Sequence, residues 1–310
     1  MNLRCFSMYI PRRIYKKIFL SAMLLPSIIV ASMFLAVPVA LTLAISLTGL
    51  DYRFTWFWIG LRNYERLFKD PAFQLIVRAT LIYVAGTLAF NTGVGLLIAL
   101  ITTHIRRSLG SFIRALWLLP RVLPSVVWAV LMMWIFSPMP TGFLNTIIKS
   151  LGGAPIPWTF RYYWPFLFIV NGFIGSSLSA IIFSSAIESI PPDYIIAAKV
   201  DGASSFTIIR KIVLPMIKWH IAFFVAYNTL SLLASFEYIL LTLDGGPGYY
   251  STEVMILHAY HLAFGQYMVA MNYGYAASIV TILFIIGLIL SIVYWRIFRL
   301  KRLMLEARLE

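Results

Sequence analysis

Residues 188–220 read ESIPPDYIIAAKVDGASSFTIIRKIVLPMIKWH, a polar and basic stretch lodged between two long apolar ones. Pro191-Pro192-Asp193 is a helix-start signal with Asp193 the candidate N-cap, and residues 194–200 have the length of a short helix. Gly202 supplies the left-handed backbone that ends it. Ser204 or Ser205 can cap a second helix, on which Phe206, Ile209 and Val213 share a stripe beside Arg210 and Lys211. Pro215 is expected to stop that helix and pass the chain to the next apolar stretch. A helix–turn–helix with an apolar stripe and a small Ala197-Ala198 pair has two readings. It is a helix lying on a membrane surface, or a docking element whose small side chains let a partner's backbone come close.

The surroundings are membrane. Six apolar stretches are long enough to cross a ~30 Å hydrocarbon core at ~1.5 Å per helical residue: 18–47, 75–103, 116–136, 164–187, 217–241 and 275–297. Composition agrees. Of 310 residues 61% are hydrophobic and 12% charged, where a soluble domain carries about 25% charged, so the two soluble domains that length alone would allow are excluded. Lipid offers no partner to a free amide, which makes the spans helical. Pro26, Pro38, Pro120 and Pro124 are expected to kink spans rather than break them. The single cysteine, Cys5, excludes an internal disulfide or a cysteine metal cluster.

The net charge of +14 is a topology signal. Seventeen of the 25 Lys and Arg fall in segments 1–17, 104–115, 188–218 and 296–310, against six between the other spans (Arg53, Arg62, Arg66, Lys69, Lys149, Arg161). The positive-inside bias therefore puts both termini and the 188–218 loop in the cytoplasm, and the basicity is no nucleic-acid footprint. The first apolar stretch exceeds the 7–15 residues of a signal-peptide core and is expected to be retained. The expected organisation is a basic cytoplasmic segment at 1–17, a six-helix transmembrane domain at 18–297 with its loop at 188–218, and a basic tail at 298–310.

The loop carries a resemblance. Ala197, Ala198, Asp201, Gly202, Ala203, Phe206, Ile209, Leu214 and Pro215 match in register the cytoplasmic signature of the inner-membrane permease subunits of binding-protein-dependent ABC importers, with Ile196 where that signature has Glu. More of the chain is similar to one branch, the first permease of maltose-type and glycerol-phosphate-type sugar systems. IGLRNY at 59–64 resembles its opening outer motif, LPRVLPSVVWAVLMMWIF with GFLN at 142–145 its third span, FEYILLTLDGGP at 236–247 its Gly-rich outer stretch, and YGYAASIVTILFIIG its last span. The resemblance implies a type I ABC-importer permease architecture in a prokaryotic inner membrane. It implies a second permease, two ATPase subunits and an external solute-binding protein as partners, and a sugar or oligosaccharide as substrate. Residues 193–215 would be the coupling helix seated on an ATPase, with Ile196 replacing an ion pair by apolar contact. ATP and Mg would belong to the ATPases, with no cofactor on this chain. Consistently, no Gly-Lys dipeptide of a phosphate loop occurs anywhere in it.

A sugar path needs hydrogen-bonding groups facing the bundle interior. Asn228, Ser231 and Ser235 with Tyr227 and Glu237, Thr87 and Asn91, and Asn171 with its neighbours Gly172, Gly175 and Ser179 are the candidates; the competing reading is helix packing by small and hydroxyl side chains. Arg121 reads as a side chain that snorkels or meets a backbone carbonyl. His258 and His261 have helical spacing, but with Glu253 alone nearby no metal is expected. No acid–base pair or nucleophilic triad is visible, which argues against an enzyme. The alternatives are an ion-coupled secondary transporter, which would want more titratable groups than Glu237 at mid-membrane, a non-transporting membrane assembly protein, and a channel.

Overall fold

The computed structural model describes residues 12–265 and 271–298, with side chains described from Ser21 onward. Of the expected basic terminal segments, residues 1–11 and 299–310 lie outside the described residues. Among the described residues the chain is helical, with one isolated antiparallel bridge between Thr48 and Trp58. In chain order the helices are α1 (Arg12–Ala31), α2 (Val37–Ser46), α3 (Arg62–Lys69), α4 (Pro71–His104), α5 (Arg107–Val122), α6 (Ser125–Ile135), α7 (Phe143–Ser150) and α8 (Trp158–Arg161). They continue with α9 (Tyr163–Glu188), α10 (Pro192–Val200), α11 (Ser205–Ile208), α12 (Leu214–Leu233), α13 (Glu237–Thr242), α14 (Met255–Phe264) and α15 (Tyr273–Ile297).

Four stretches are long and apolar enough to cross a membrane: Ser21–Ser46, α4, α9 and α15, or up to five if α5 and α6 together form one bent span. The stretch expected to cross at 217–241 is divided here between α12, which carries Lys218, His220 and Asn228, and the short α13.

The prolines act in two ways. Pro38 and Pro215 leave the helix unbroken because a π-helical turn precedes each, Ser32–Ala36 and Ile209–Val213. Each proline then sits in the first turn of the helix that follows, where its missing N–H costs little. The chain is therefore helical from Ser205 to Leu233, and Pro215 does not stop it as the sequence led us to expect. Pro124 behaves oppositely to expectation too. It breaks the span: Leu123 before it is extended (φ −70°, ψ 142°), and α5 and α6 meet at 103°, the steric consequence of a proline ring behind a helical residue. Pro120 stays inside α5.

At the centre α4 and α9 lie side by side, with α12 and α5 against them and α15 packed on α14 and α2. Gly175 shows why α4 and α9 approach so closely: a β-carbon there would collide with the Asn91 side chain. Ser179 donates to Asn91 O at 2.7 Å. Gly175 and Ser179 of α9 thus allow the close approach of α4. Asp70-Pro71 is the start of α4, with the Asp70 carboxylate accepting from Ala72 N at 2.9 Å and Pro71 at the first position.

Candidate functional site

Two places collect the residues singled out in the sequence. The first is the loop around Gly202. Helix α10 begins at Pro192 with Pro191 at the cap position, so Asp193 lies in the first turn and is not the N-cap expected. A carboxylate there still favours the helix amino end. The helix ends in a paired hydrogen-bond motif: Gly202 N donates to Lys199 O at 3.1 Å and Ala203 N to Ala198 O at 2.9 Å, with Gly202 at φ +76°. This is the Schellman geometry, in which the apolar residues Ala203 and Ala198 also meet. Both pack on one cluster with Ile187, Ile190, Ile208 and Val213. The Ala-Ala…Asp-Gly-Ala spacing is therefore a helix stop and its hydrophobic latch. Ser204 caps the next turn through Thr207 N at 3.3 Å.

The expected stripe divides. Val213 is buried, Ile209 and Leu214 are half-buried, and Phe206 is 71% exposed. Facing outward with Phe206 are Tyr194, Ile196 (56%) and Val200 (81%), together with Ala197, Asp201 and Pro215. A mainly apolar set of exposed side chains is thus presented around the turn, and Glu188 before it is tied to Arg114 of α5 by a 2.9 Å ion pair.

The second place is a cavity of about 160 Å³ between α4, α9 and α12. Of the eight path candidates, six line it: Asn91, Asn171, Tyr227, Asn228, Ser231 and Ser235. The three asparagines converge. Asn91 Nδ2 stands 3.5 Å from Asn171 Oδ1 and 3.4 Å from Asn228 Oδ1, while Asn171 donates to Tyr83 OH at 3.0 Å. The first two distances are at the outer limit of hydrogen bonding, and Asn91 Oδ1 is buried with no partner. Buried amides left in this condition are unusual and call for an explanation, such as a ligand or water that completes them. Thr87 is buried without a partner for its hydroxyl and does not line the cavity; Glu237 does not either, and instead accepts a hydrogen bond from Ser125. Of the polar residues of the wall, two were not among the path candidates, Arg121 and Tyr238. Arg121 does meet a backbone carbonyl, Ile174 O at 3.3 Å, but no local signal put it on the cavity.

A larger cavity of about 540 Å³ lies away from these helices, under the turn at 243–250. His258 and His261 reach it, both directing Nδ1 at Glu253 Oε1 (3.2 and 2.8 Å), and His261 Nε2 meets Asp244 Oδ1 at 3.0 Å. Burial opposes charge on Glu253, but the two imidazoles outweigh it and hold its carboxyl below the usual range. Burial likewise opposes charge on His261, yet Glu253 and Asp244 leave its imidazole above its ordinary value. These groups bond to one another and stitch the turn to α14, which marks a structural clasp; the converging asparagines, with Asn91 Oδ1 unpartnered, make the smaller cavity the better site.

Comparison with known proteins agrees with this geometry. The chain is 30% identical to a probable ABC transporter permease protein of Pyrococcus horikoshii over 88% of its own length and 93% of that protein. It is 28% identical to the trehalose/maltose transport system permease protein MalF of Thermococcus litoralis (90% and 93%) and 29% identical to the sulfoquinovosyl glycerol transport system permease protein SmoG of Agrobacterium fabrum (90% and 90%). Among solved structures it matches a chain of a bacterial ABC transporter involved in the import of the acidic polysaccharide alginate, with TM-score 0.79, 26% identity and coverage of 93% of this chain and 99% of that one. The family profile for the inner membrane component of binding-protein-dependent transport systems matches residues 91–302, more than half the chain, and this multi-pass membrane protein belongs to that family.

Proposed function

We propose that this chain is one of two permease subunits of an ATP-driven importer for a sugar or oligosaccharide, with six spans and both termini in the cytoplasm. The exposed surface formed by Ile196, Ala197, Val200, Asp201, Gly202 and Phe206 docks in an ATPase subunit that binds ATP and Mg, and an external solute-binding protein delivers the substrate to the opposite face. Ile196, exposed and apolar, makes the contact without an ion pair. The cavity lined by Asn91, Asn171 and Asn228 is part of the solute path. At ~30 Å³ per water it holds about five waters, so the helices around it must separate to admit a sugar, and ATP-driven closure of the ATPases supplies that motion through the rigid turn at Gly202. The observation that carries the reading is the convergence of three buried amides through long contacts, with Asn91 Oδ1 left without a partner, between the helices of a chain from this family. Relatives named as trehalose/maltose and sulfoquinovosyl glycerol permeases support a sugar as the solute class.

The test is ATP-dependent sugar uptake by the assembled importer in proteoliposomes. Asn228→Ala is expected to lower uptake about tenfold, ~1.4 kcal/mol, with the complex still assembled. Gly202→Val forces a β-branched residue into φ +76° and is expected to abolish uptake by uncoupling the ATPase. Normal uptake by both variants would refute the proposed path and docking turn.

A further inference from the structure

We propose that Arg121 makes this permease select solutes bearing a negatively charged group, its guanidinium binding that group as the solute passes the cavity. The inference rests on the reading of that cavity as the solute path. Arg121 lies in the last turn of α5, next to the break at Leu123-Pro124, and its side chain stands in the cavity wall with Asn171, Asn228, Ser235 and Tyr238. Every other residue of that wall is neutral.

The charge is largely uncommitted. A guanidinium has five N–H donors, and among the described residues Arg121 donates to Ile174 O at 3.3 Å. Among the described residues no carboxylate lies within the 4.0 Å of an ion pair with it. Glu237, the acid of the adjoining α13, accepts from Ser125 instead. Arg121 is itself exposed, so its guanidinium is open to a ligand, and its place in the last turn of α5 puts the cation at the favourable carboxyl end of that helix. Ionisable groups inside membranes are costly and face interiors or aqueous paths, and broken helices at such depth occur where they line a cavity. The exposed arginine beside the break at Leu123-Pro124 lines this cavity, the placement such a side chain would need on a solute path.

The chemistry selects the ligand class. The planar fork matches a carboxylate, sulfonate or phosphate through two parallel, charge-assisted hydrogen bonds, whereas a sugar hydroxyl accepts one ordinary bond. The neutral amides and hydroxyls around it then suit the remaining hydroxyls of an acidic sugar.

The complete importer in ATP-loaded proteoliposomes tests this with one labelled probe at a time: maltose and trehalose as neutral probes, and a glucuronosyl disaccharide, a sulfonated sugar glycoside and a sugar phosphate as charged ones. Occupancy of the external binding protein by each probe is measured in parallel, so that its own selection is divided out. A charged probe is expected to be the preferred solute, Arg121→Gln to lower its kcat/KM about tenfold (~1.4 kcal/mol) with a smaller effect on neutral probes, and Arg121→Lys to recover much of the loss. Preferred passage of a neutral sugar, or an equal loss for charged and neutral probes in Arg121→Gln, overturns the proposal. ATP-dependent passage of no sugar at all overturns the sugar-importer reading itself, and the role of Arg121 with it.

Discussion

Asn145, the last residue of the GFLN motif, is wholly buried, and its side chain is fully used. Its amide nitrogen donates to Ser137, Met139 and Ile156 carbonyls, and its oxygen accepts from Ile156 N and Trp158 Nε1, at 2.9–3.2 Å. Asn63 of IGLRNY does similar work, donating to Ser46 O and Thr48 O at 2.9 Å. These motif residues are loop clamps, which their sequence context alone did not reveal. Asn145→Ala orphans several buried groups at about 1–3 kcal/mol each, so a clearly lowered Tm is expected in detergent thermal unfolding; an unchanged Tm would count against the clamp. The clasp at His261 gives a pH dependence with two limbs. The Glu253 carboxyl, held low, stabilises the fold above the ordinary carboxylate range and loses that contribution as pH falls through its folded value. The raised His261 contributes fully below its ordinary value and loses it as pH rises through the raised one. Protection against hydrogen exchange across 243–262, corrected for the intrinsic pH dependence of amide exchange, should therefore be greatest between the two limits, and His261→Gln should flatten the alkaline limb. Tyr250 meets the His258 ring edge-on at 5.5 Å and Tyr260 the His261 ring at 6.1 Å, so both tyrosines also face the clasp.

At the scale of elements, the loop around Gly202 separates two roles that lie one or two residues apart. Ile208 is 4% exposed in the cluster beneath the turn, while Phe206 is 71% exposed above it. Phe206→Asp is expected to leave thermal stability unchanged and to prevent co-purification of an ATPase subunit, whereas Ile208→Asp, which buries an unpaired charge, should cost several kcal/mol and prevent folding. Retained co-purification with Phe206→Asp would show that the docking surface lies elsewhere. The helix stop at Gly202 and the cap at Ser204 were legible, because they follow capping rules that depend on neighbours in the chain; the cap role of Asp70 and the start of α10 at Pro192 were not. Proline was not. Pro38, Pro124 and Pro215 obey the same local sterics, yet two are accommodated by π turns and one breaks its span. The choice depends on whether packing around the freed carbonyls favours a continuous helix.

For the whole molecule, the stretch Ser21–Ser46 is telling: its most apolar window has no buried residue at all. A helix apolar on every side is not a water-facing element; lipid or the second permease covers it in the proposed assembly. The orientation can be checked in a Cys5→Ser background with single cysteines at Val200 and Tyr249, which are 81% and 79% exposed. A membrane-impermeant thiol reagent is expected to label Tyr249→Cys from outside the cell and Val200→Cys only after permeabilisation; labelling of both from one side would refute the six-span topology. The sequence by itself determined the membrane class and the helix–turn–helix at Gly202; it read six spans, of which the described residues hold four helices long and apolar enough, or up to five, and six of its eight path candidates line one cavity, because hydropathy, capping and helical spacing are local properties of the chain. Only the tertiary structure decided that Arg121 shares a cavity with three asparagines, that Thr87 and Glu237 stay off it, and that His258 and His261 meet on one carboxylate. Those facts depend on how helices distant in sequence pack against each other, which no single stretch encodes.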